Sequence, residues 1–132
     1  MTALQHDTPR DYEIGDLNQL PVAANVLIYE GAAVSVDNLG YAKPLSGGEK
    51  FVGFAKQQAN NQHGLAGEVM VTLETKGKIK IEVENSMPAD IGKTVFANAD
   101  NKFSLNSDNS SPIGIVYRVE SPLSCMVAFS AY

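Results

Sequence analysis

The tripeptide Gly92-Lys93-Thr94 has the residue types that end a phosphate-binding P-loop, in which backbone amides and a lysine surround the phosphate oxygens. The complete motif requires a glycine five positions before Gly92, and Met87 occupies that position. It also requires a helix after the loop, whereas Val95-Phe96-Ala97 has the character of a strand. We therefore interpret the segment as a glycine stop followed by the start of a strand.

The single cysteine and the two histidines lack the neighbours that would make them reactive. A nucleophilic thiolate needs a base or a positive setting, and Cys125 stands between Ser124 and Met126 on the apolar side of a predicted strand. His6 and His63 have no Cys, His or carboxylate at metal-ligand spacing. The sequence predicts a buried, inert thiol and two histidines in polar, solvated segments.

The stretch Asn98 to Asn109 is rich in Asn and Asp, which are also the residue types of calcium loops. No register supplies both the central Gly and the terminal Glu of an EF-hand. Asn and Asp also build turns by bonding their own backbone, and we favour that interpretation. We therefore assign no catalytic, cofactor-binding or metal-binding residue, and we expect a protein that is not an enzyme.

Composition limits the classes of partner. The chain has 132 residues, a net charge of −5 and 44% hydrophobic residues, which fits one folded domain. The negative balance argues against nucleic acid as a partner. No apolar run approaches the roughly 20 residues that span a membrane, and residues 1–20 lack the apolar core of a secretory signal. We expect assembly in a cytoplasm.

From Pro21 onward, short apolar strands are separated by turn signals, as is typical of a β-sandwich or barrel. In residues 68–84 the apolar residues alternate with polar ones. This alternation predicts a hairpin in which Leu73 opposes Ile79 and Val71 opposes Ile81, with Thr75-Lys76-Gly77 as the loop. The register also predicts that Glu74 pairs with Lys78.

A second hairpin is predicted at the C-terminus. Ile113, Ile115, Tyr117 and Val119 alternate on one strand, and Cys125, Val127 and Phe129 on the next. Further short strands are predicted at Val26–Tyr29, Ala32–Val36, Tyr41–Pro44, Phe51–Ala55, Thr94–Ala97 and Phe103–Leu105, with a tight turn at Asp100-Asn101 and a helical turn over Ser86–Ile91 that ends at Gly92. The predicted fold is all-β, a small antiparallel β-sandwich or barrel.

Residues 1–21 are predicted to form an extended N-terminal arm, and residues 22–132 a single β domain. The arm either docks on a neighbouring surface or is a loose terminus. Tyr12, Ile14 and Leu17 favour docking, because a solvated tail seldom needs them. Met70 and Met126 fall on the otherwise polar faces of their strands, which is consistent with a subunit contact or with a closed barrel or second sheet covering that face. These five residues are the predicted contacts with a partner protein or with another subunit.

Several segments in order resemble the small DUF2190-like decoration (cement) proteins of tailed-bacteriophage capsids, over roughly residues 24–120. The matching segments are 26–32, Val34, 40–44, 51–55, the stretch that ends at Lys76-Gly77, 89–97, 103–105 and 112–116. The resemblance implies a virion structural protein on the capsid exterior, assembled in the host cytoplasm, that stabilises the shell. It implies the major capsid protein as partner, a homotrimer as the assembly, and no catalytic residues. Residues 1–20 lie outside the match.

Two other kinds of function are compatible with the residues alone. One is a small trimeric β enzyme or carbohydrate-binding module, for which Tyr29, Tyr41 and Tyr132 are the available aromatic side chains. The other is a component of a phage tail or head–tail connector. All-β folds host each of these functions, so the choice depends on the site.

Overall fold

Twelve strands and one short 3-10 helix run through the residues that the computed structural model describes, which are 5–6, 15–121 and 123–131. The elements are β1 (Leu17–Pro21), β2 (Val26–Ile28), β3 (Ala33–Val36), β4 (Ala42–Pro44), β5 (Phe51–Ala55), β6 (Ala59–Asn61), β7 (Met70–Glu74), β8 (Lys76–Ile81), the 3-10 helix Pro88–Asp90, β9 (Thr94–Ala99), β10 (Lys102–Ser104), β11 (Ser111–Ser121) and β12 (Ser124–Ser130).

The strands form three antiparallel sheets. The middle sheet has the order β1-β7-β5-β3-β4, the front sheet has the order β10-β9-β11-β12-β8, and the rear sheet is the pair β2-β6. The fold is sandwich-like and is not a closed barrel. The all-β prediction is confirmed, and of its two alternatives, a sandwich or a barrel, the structure has the sandwich. No helix among the described residues is long and apolar enough to cross a membrane.

Two hydrophobic cores lie on opposite faces of the middle sheet. Adjacent residues of β5 show the alternation, because Phe54 belongs to the front core and Ala55 to the rear core. The front core joins Phe54 to Val127 and Phe129 of the front sheet. The rear core joins Val71 and Leu73 of β7 to Ile28 and Ala59 of the rear sheet. The middle sheet is therefore covered on both faces where the three sheets overlap.

Polar contacts also tie the front and middle sheets together. The Ser111 hydroxyl of β11 donates to the Glu49 carbonyl and accepts the Gly48 N–H at 3.0 Å. The Glu49 carboxylate in turn accepts from Ser35 of β3 at 3.0 Å and from Lys43 at 2.6 Å. The Lys43 ammonium lowers the pKa of Glu49 below its ordinary value. This network fixes the loop between β4 and β5 against the front sheet.

The predicted hairpin over residues 68–84 is wrong. β7 pairs with β1 and β5, whereas β8 pairs with β12 in the other sheet. The strands are correct but the chain crosses between sheets at Thr75 rather than turning back. The apolar pattern is satisfied because Val71 and Leu73 enter the rear core while Ile79 and Ile81 pack on the front core.

The predicted loop at Thr75-Lys76-Gly77 and the predicted Glu74–Lys78 ion pair are therefore wrong as well. Gly77 lies within β8 opposite Phe129. Glu74 pairs with Lys56 at 3.5 Å rather than with Lys78.

The C-terminal hairpin is confirmed, since β11 pairs with β12. Its alternation is wrong at two positions, because Ile115 and Tyr117 are exposed. The register shifts against β9 between Pro112 and Gly114, and against β12 between Val116 and Arg118. Each bulge inserts one residue and changes which side chains point inward. Ile113 and Val116 are consequently the buried residues.

The remaining predicted elements are found within one or two residues of their predicted ends, including the turn at Asp100-Asn101 and the 3-10 helix before Gly92. The sequence did not indicate β6, which has the polar sequence Ala-Asn-Asn. Residues Leu17–Pro21 of the predicted arm form β1 and pair with β7.

Candidate protein-binding surface

The front sheet has an exposed face with an unusual share of apolar side chains. Ile115 and Tyr117 are 46% and 45% exposed, and Ile115 lies opposite Ala128. Beside them, Pro112 lies opposite Phe96 across the β11–β9 ladder. We call this set the front patch, and its members are Phe96, Pro112, Ile115, Tyr117, Met126 and Ala128.

Ile115 and Tyr117 belong to the front patch because of the bulges in β11. Without them, strict alternation would send Ile115 and Tyr117 into the core together with Ile113. Gly114 follows the first bulge and allows β12 to approach closely, since a Cβ there would overlap the Ala128 carbonyl and approach the Phe129 Cα to 2.8 Å. A shallow apolar depression of about 480 Å3 lies over Gly114, Ile115 and Ala128. Gly114 and Gly77 have no side chains to fill this hollow, and Ile115, Ala128, Lys78 and Ser130 are among the residues that line it.

Cationic side chains border one side of the front patch. The Lys78 ammonium lies 4.4 Å from the centre of the Tyr117 ring, and the Arg118 guanidinium 5.9 Å from it. Glu120 bonds Arg118 at 2.9 Å and Lys80 at 3.3 Å. The Arg118 and Lys80 hydrogen bonds lower the pKa of Glu120, so it is a carboxylate at neutral pH. Cation–π contacts and ion pairs of this kind hold the border side chains over the sheet.

The predicted contact residues lie in two places. Met126 is part of the front patch, facing outward beside Lys80 and Arg118. Leu17 and Met70 lie at opposite ends of the β1–β7 ladder and are 51% and 49% exposed. The three residues therefore do not share one sheet face. Tyr12 and Ile14 lie outside the described residues.

Sequence reasoning missed Ile115 and Tyr117 as surface residues, because it placed them on the buried side of a regular strand. Pro112 and Gly114 could have indicated the bulge from the sequence. A proline and a glycine two residues apart within a strand pattern mark a bulge or a close backbone approach.

The P-loop-like tripeptide and the single cysteine both have structural roles. Gly92 has φ of 89° and ends the 3-10 turn, Thr94 begins β9, and Lys93 pairs with Asp90 at 2.8 Å. The interpretation as a glycine stop before a strand is confirmed. Cys125 is fully buried, and this burial raises the pKa of its thiol. The prediction of a buried thiol with low reactivity is supported by both observations.

A polar cleft of about 380 Å3 lies over the Asn-rich stretch, lined in part by Glu84, Asn98 and Asp108. Asn106 and Asn109 shape its loop, since the Asn106 carboxamide accepts the Asp108 N–H at 2.9 Å and Asn109 has φ of 49°. The prediction that these residues form turns is confirmed. Among residues 5–6, 15–121 and 123–131, no three His, Cys, Asp or Glu side chains converge as a metal site.

A scan against models of known protein families finds no match. A search of curated proteins likewise finds no significant relative.

Proposed function

We propose that this protein is a virion structural protein that binds the outer surface of a tailed-phage capsid and stabilises it as a cement protein. The observation that carries the proposal is the front patch, an exposed apolar surface with a cationic border. The ordered resemblance of residues 24–120 to phage decoration proteins supplies the identity of the partner, the major capsid protein. In this proposal the protein acts by binding and is not an enzyme.

The front patch has the features of a protein-binding surface. The front patch includes Tyr117, Met126 and Phe96, and aromatic residues and Met are enriched in protein interfaces. Apolar area removed from water stabilises a complex by about 25 cal/mol per Å2. Covering Ile115 and Tyr117, which are each nearly half exposed, therefore gives each copy an apolar anchor.

The front patch lies on two strands that are packed on the front core and are therefore held rigidly. β11 and β12 carry most of the patch on one face and the front core on the other. A rigid support reduces the entropy that binding would otherwise cost. The cationic border, with Lys78, Lys80 and Arg118, favours a partner site that has acidic residues around an apolar centre.

A cement protein that binds only the assembled shell stabilises it by mass action. Many copies engage one particle, so a modest affinity for each copy still favours the assembled lattice strongly. A shell under pressure from packed DNA thereby gains resistance to rupture without any chemical step at the binding surface. The location that follows is the capsid exterior, after assembly in the host cytoplasm.

The test is co-sedimentation with expanded phage heads that lack the protein. We expect the wild-type protein to pellet with the heads at micromolar concentration and to saturate at a fixed number of copies per particle. Ile115→Glu places a charge in the patch centre and is expected to weaken binding at least tenfold. Leu65→Glu is the matched control, since Leu65 is 72% exposed and lies outside the front patch.

Two outcomes would contradict the proposal. Wild-type protein that remains in the supernatant would remove the proposed partner. Equal binding by Ile115→Glu and Leu65→Glu would remove the front patch as the contact surface. Circular dichroism of both variants checks that the fold is retained.

A further inference from the structure

The outer face of β12 differs between two neighbouring outward positions, Met126 and Ala128. Both residues point away from the front core, because Cys125, Val127 and Phe129, which alternate with them, are buried. β11 flanks the strand on one side and β8 on the other. The side chains of these two flanking strands therefore decide where a partner can reach the surface of β12.

Two side-chain contacts cross β12 on the Met126 side. The Lys78 ammonium of β8 lies 4.4 Å from the centre of the Tyr117 ring of β11. The Lys80 ammonium of β8 lies 3.3 Å from the Glu120 carboxylate of β11. Because β12 separates these two strands, both contacts pass over its outer face. Met126, which pairs with Lys80, is therefore partly covered by side chains of the same molecule.

The Ala128 side of the strand is open. The depression of about 480 Å3 in the front patch lies here, and Ala128 stands in it between Ile115 of β11 and Lys78 of β8. Gly77 and Gly114 line the depression from the two flanking strands. We call it the Ala128 hollow. Its small residues leave room for one bulky side chain of a partner.

The walls of the Ala128 hollow favour an apolar occupant. Ile115 is 46% exposed, and the Ala128 methyl group lies at the same level of the sheet. An apolar side chain that enters the hollow removes both groups from water, and the gain increases with the area that is covered. Residues that fill a pocket in this way are the ones that contribute most to the stability of protein interfaces.

The charge beside the Ala128 hollow is positive. Lys78 lines the hollow, and it forms no ion pair with a carboxylate of the part of the chain that the structure describes. The described residues around the hollow include no acidic side chain. Lys80, in contrast, already has Glu120 as its partner. A carboxylate brought to the hollow would thus gain an ion pair with Lys78 without displacing another.

We propose that the Ala128 hollow receives one bulky apolar side chain, aliphatic or aromatic, from a segment of the major capsid protein that carries a carboxylate beside that side chain. This contact depends on the capsid binding proposed above, and it makes the hollow the anchor point within the front patch. Ala128 is then a specificity-determining residue, because a larger residue at its position would exclude the partner's side chain.

Filling the hollow in the full-length chain tests the anchor. Ala128→Leu adds apolar surface but occupies the hollow, and it is expected to weaken co-sedimentation with expanded heads that lack the protein by about tenfold. Ala128→Ser is the matched control, since its side chain stays small, and it is expected to bind within about twofold of the wild type. A partner that only covered a flat apolar surface would lose nothing from the added leucine.

Lys78→Gln tests the carboxylate of the partner segment. Loss of the charge is expected to weaken binding to the heads about threefold at low salt, and by less at high salt because ions screen the pair. The matched control is Lys102→Gln, which makes the same change of charge at an exposed lysine of β10, at the other edge of the front sheet. It is expected to bind like the wild type.

The outcomes separate the anchor from capsid binding itself. Wild-type protein that does not pellet with the heads overturns both. Equal binding by Ala128→Leu and the wild type, together with loss of binding in Ile115→Glu, overturns the anchor and leaves capsid binding in place. A loss in Lys78→Gln no larger than that in Lys102→Gln overturns the acidic segment.

Sedimentation of the protein without heads tests the other possible occupant, a second copy of this chain. Self-association of the wild type that Ala128→Leu abolishes would assign the hollow to that copy and overturn the proposal. Circular dichroism of each variant distinguishes a lost contact from a lost fold.

Discussion

Phe54→Ala is the substitution that most directly tests how the front and middle sheets are held together. Phe54 of β5 is 2% exposed, and its ring centre lies 4.9 Å from that of Phe129 and 5.3 Å from that of Phe51. A third ring, Phe103 of β10, lies at 6.1 Å. The side chain therefore bridges the two sheets through its contacts with Phe129 and Phe103, and it also packs on Phe51 of its own strand.

The expected cost follows from these contacts. Replacing a buried Phe by Ala lowers the free energy of unfolding by about 3–5 kcal/mol. Loss of the edge-on ring contacts places Phe54 in the upper part of that range, about 4–5 kcal/mol. An unfolding entropy of about 2.1 cal/mol/K per residue over 132 residues gives about 0.28 kcal/mol/K. The midpoint of thermal unfolding is then expected to fall by about 15 °C.

The assay is urea and thermal unfolding followed by circular dichroism, with Phe96→Ala as the control. Phe96 is a phenylalanine of the front sheet on its outer face, outside both cores. Its removal is expected to cost at most about 1 kcal/mol, or roughly 3–4 °C. A loss of less than about 1 kcal/mol in Phe54→Ala, or equal losses in the two variants, would refute the assignment of the front core.

Three further predictions address single features. Gly114→Ala is expected to lower the free energy of unfolding by about 2–3 kcal/mol in urea titration, because the added Cβ overlaps the Ala128 carbonyl; unchanged stability would contradict the close approach of β12. Glu49→Gln is expected to cost about 1 kcal/mol at pH 7, a value reduced for its partial exposure. The pKa of Glu49 is lowered in the folded state, so this stability is present above the ordinary value of 4.5 and is lost as pH falls through the lower folded value; a difference from wild type that does not shrink on acidification would contradict the ion pair. The Cys125 thiol, whose pKa is raised by burial, is expected to react with a thiol reagent at pH 8 at least a hundredfold faster in denaturant than in the folded protein; equal rates would show that it is accessible.

The candidate surface was only partly predictable. Met126 was identified because its outward position follows from simple alternation with Cys125 and Val127, which are both buried. Ile115 and Tyr117 were not, since a one-residue bulge reverses every later side chain in a strand. Whether a bulge forms depends on how closely the neighbouring strands approach, and that distance is a property of the sheet.

Local chemistry in the sequence determined where the strands and turns lie. β5 has the predicted bounds, and Gly92 ends the predicted helical turn, because apolar period and turn residues act over a few neighbours. Only the tertiary structure decided which strands pair. Val71 and Ile81 each need a buried environment, and the sequence pattern does not distinguish one shared core from two cores on opposite faces of a sheet. Strand pairing is set by contacts between residues that are distant in the sequence, such as Ile79 with Val127. The apolar pattern along one strand does not indicate which strand will pair with it.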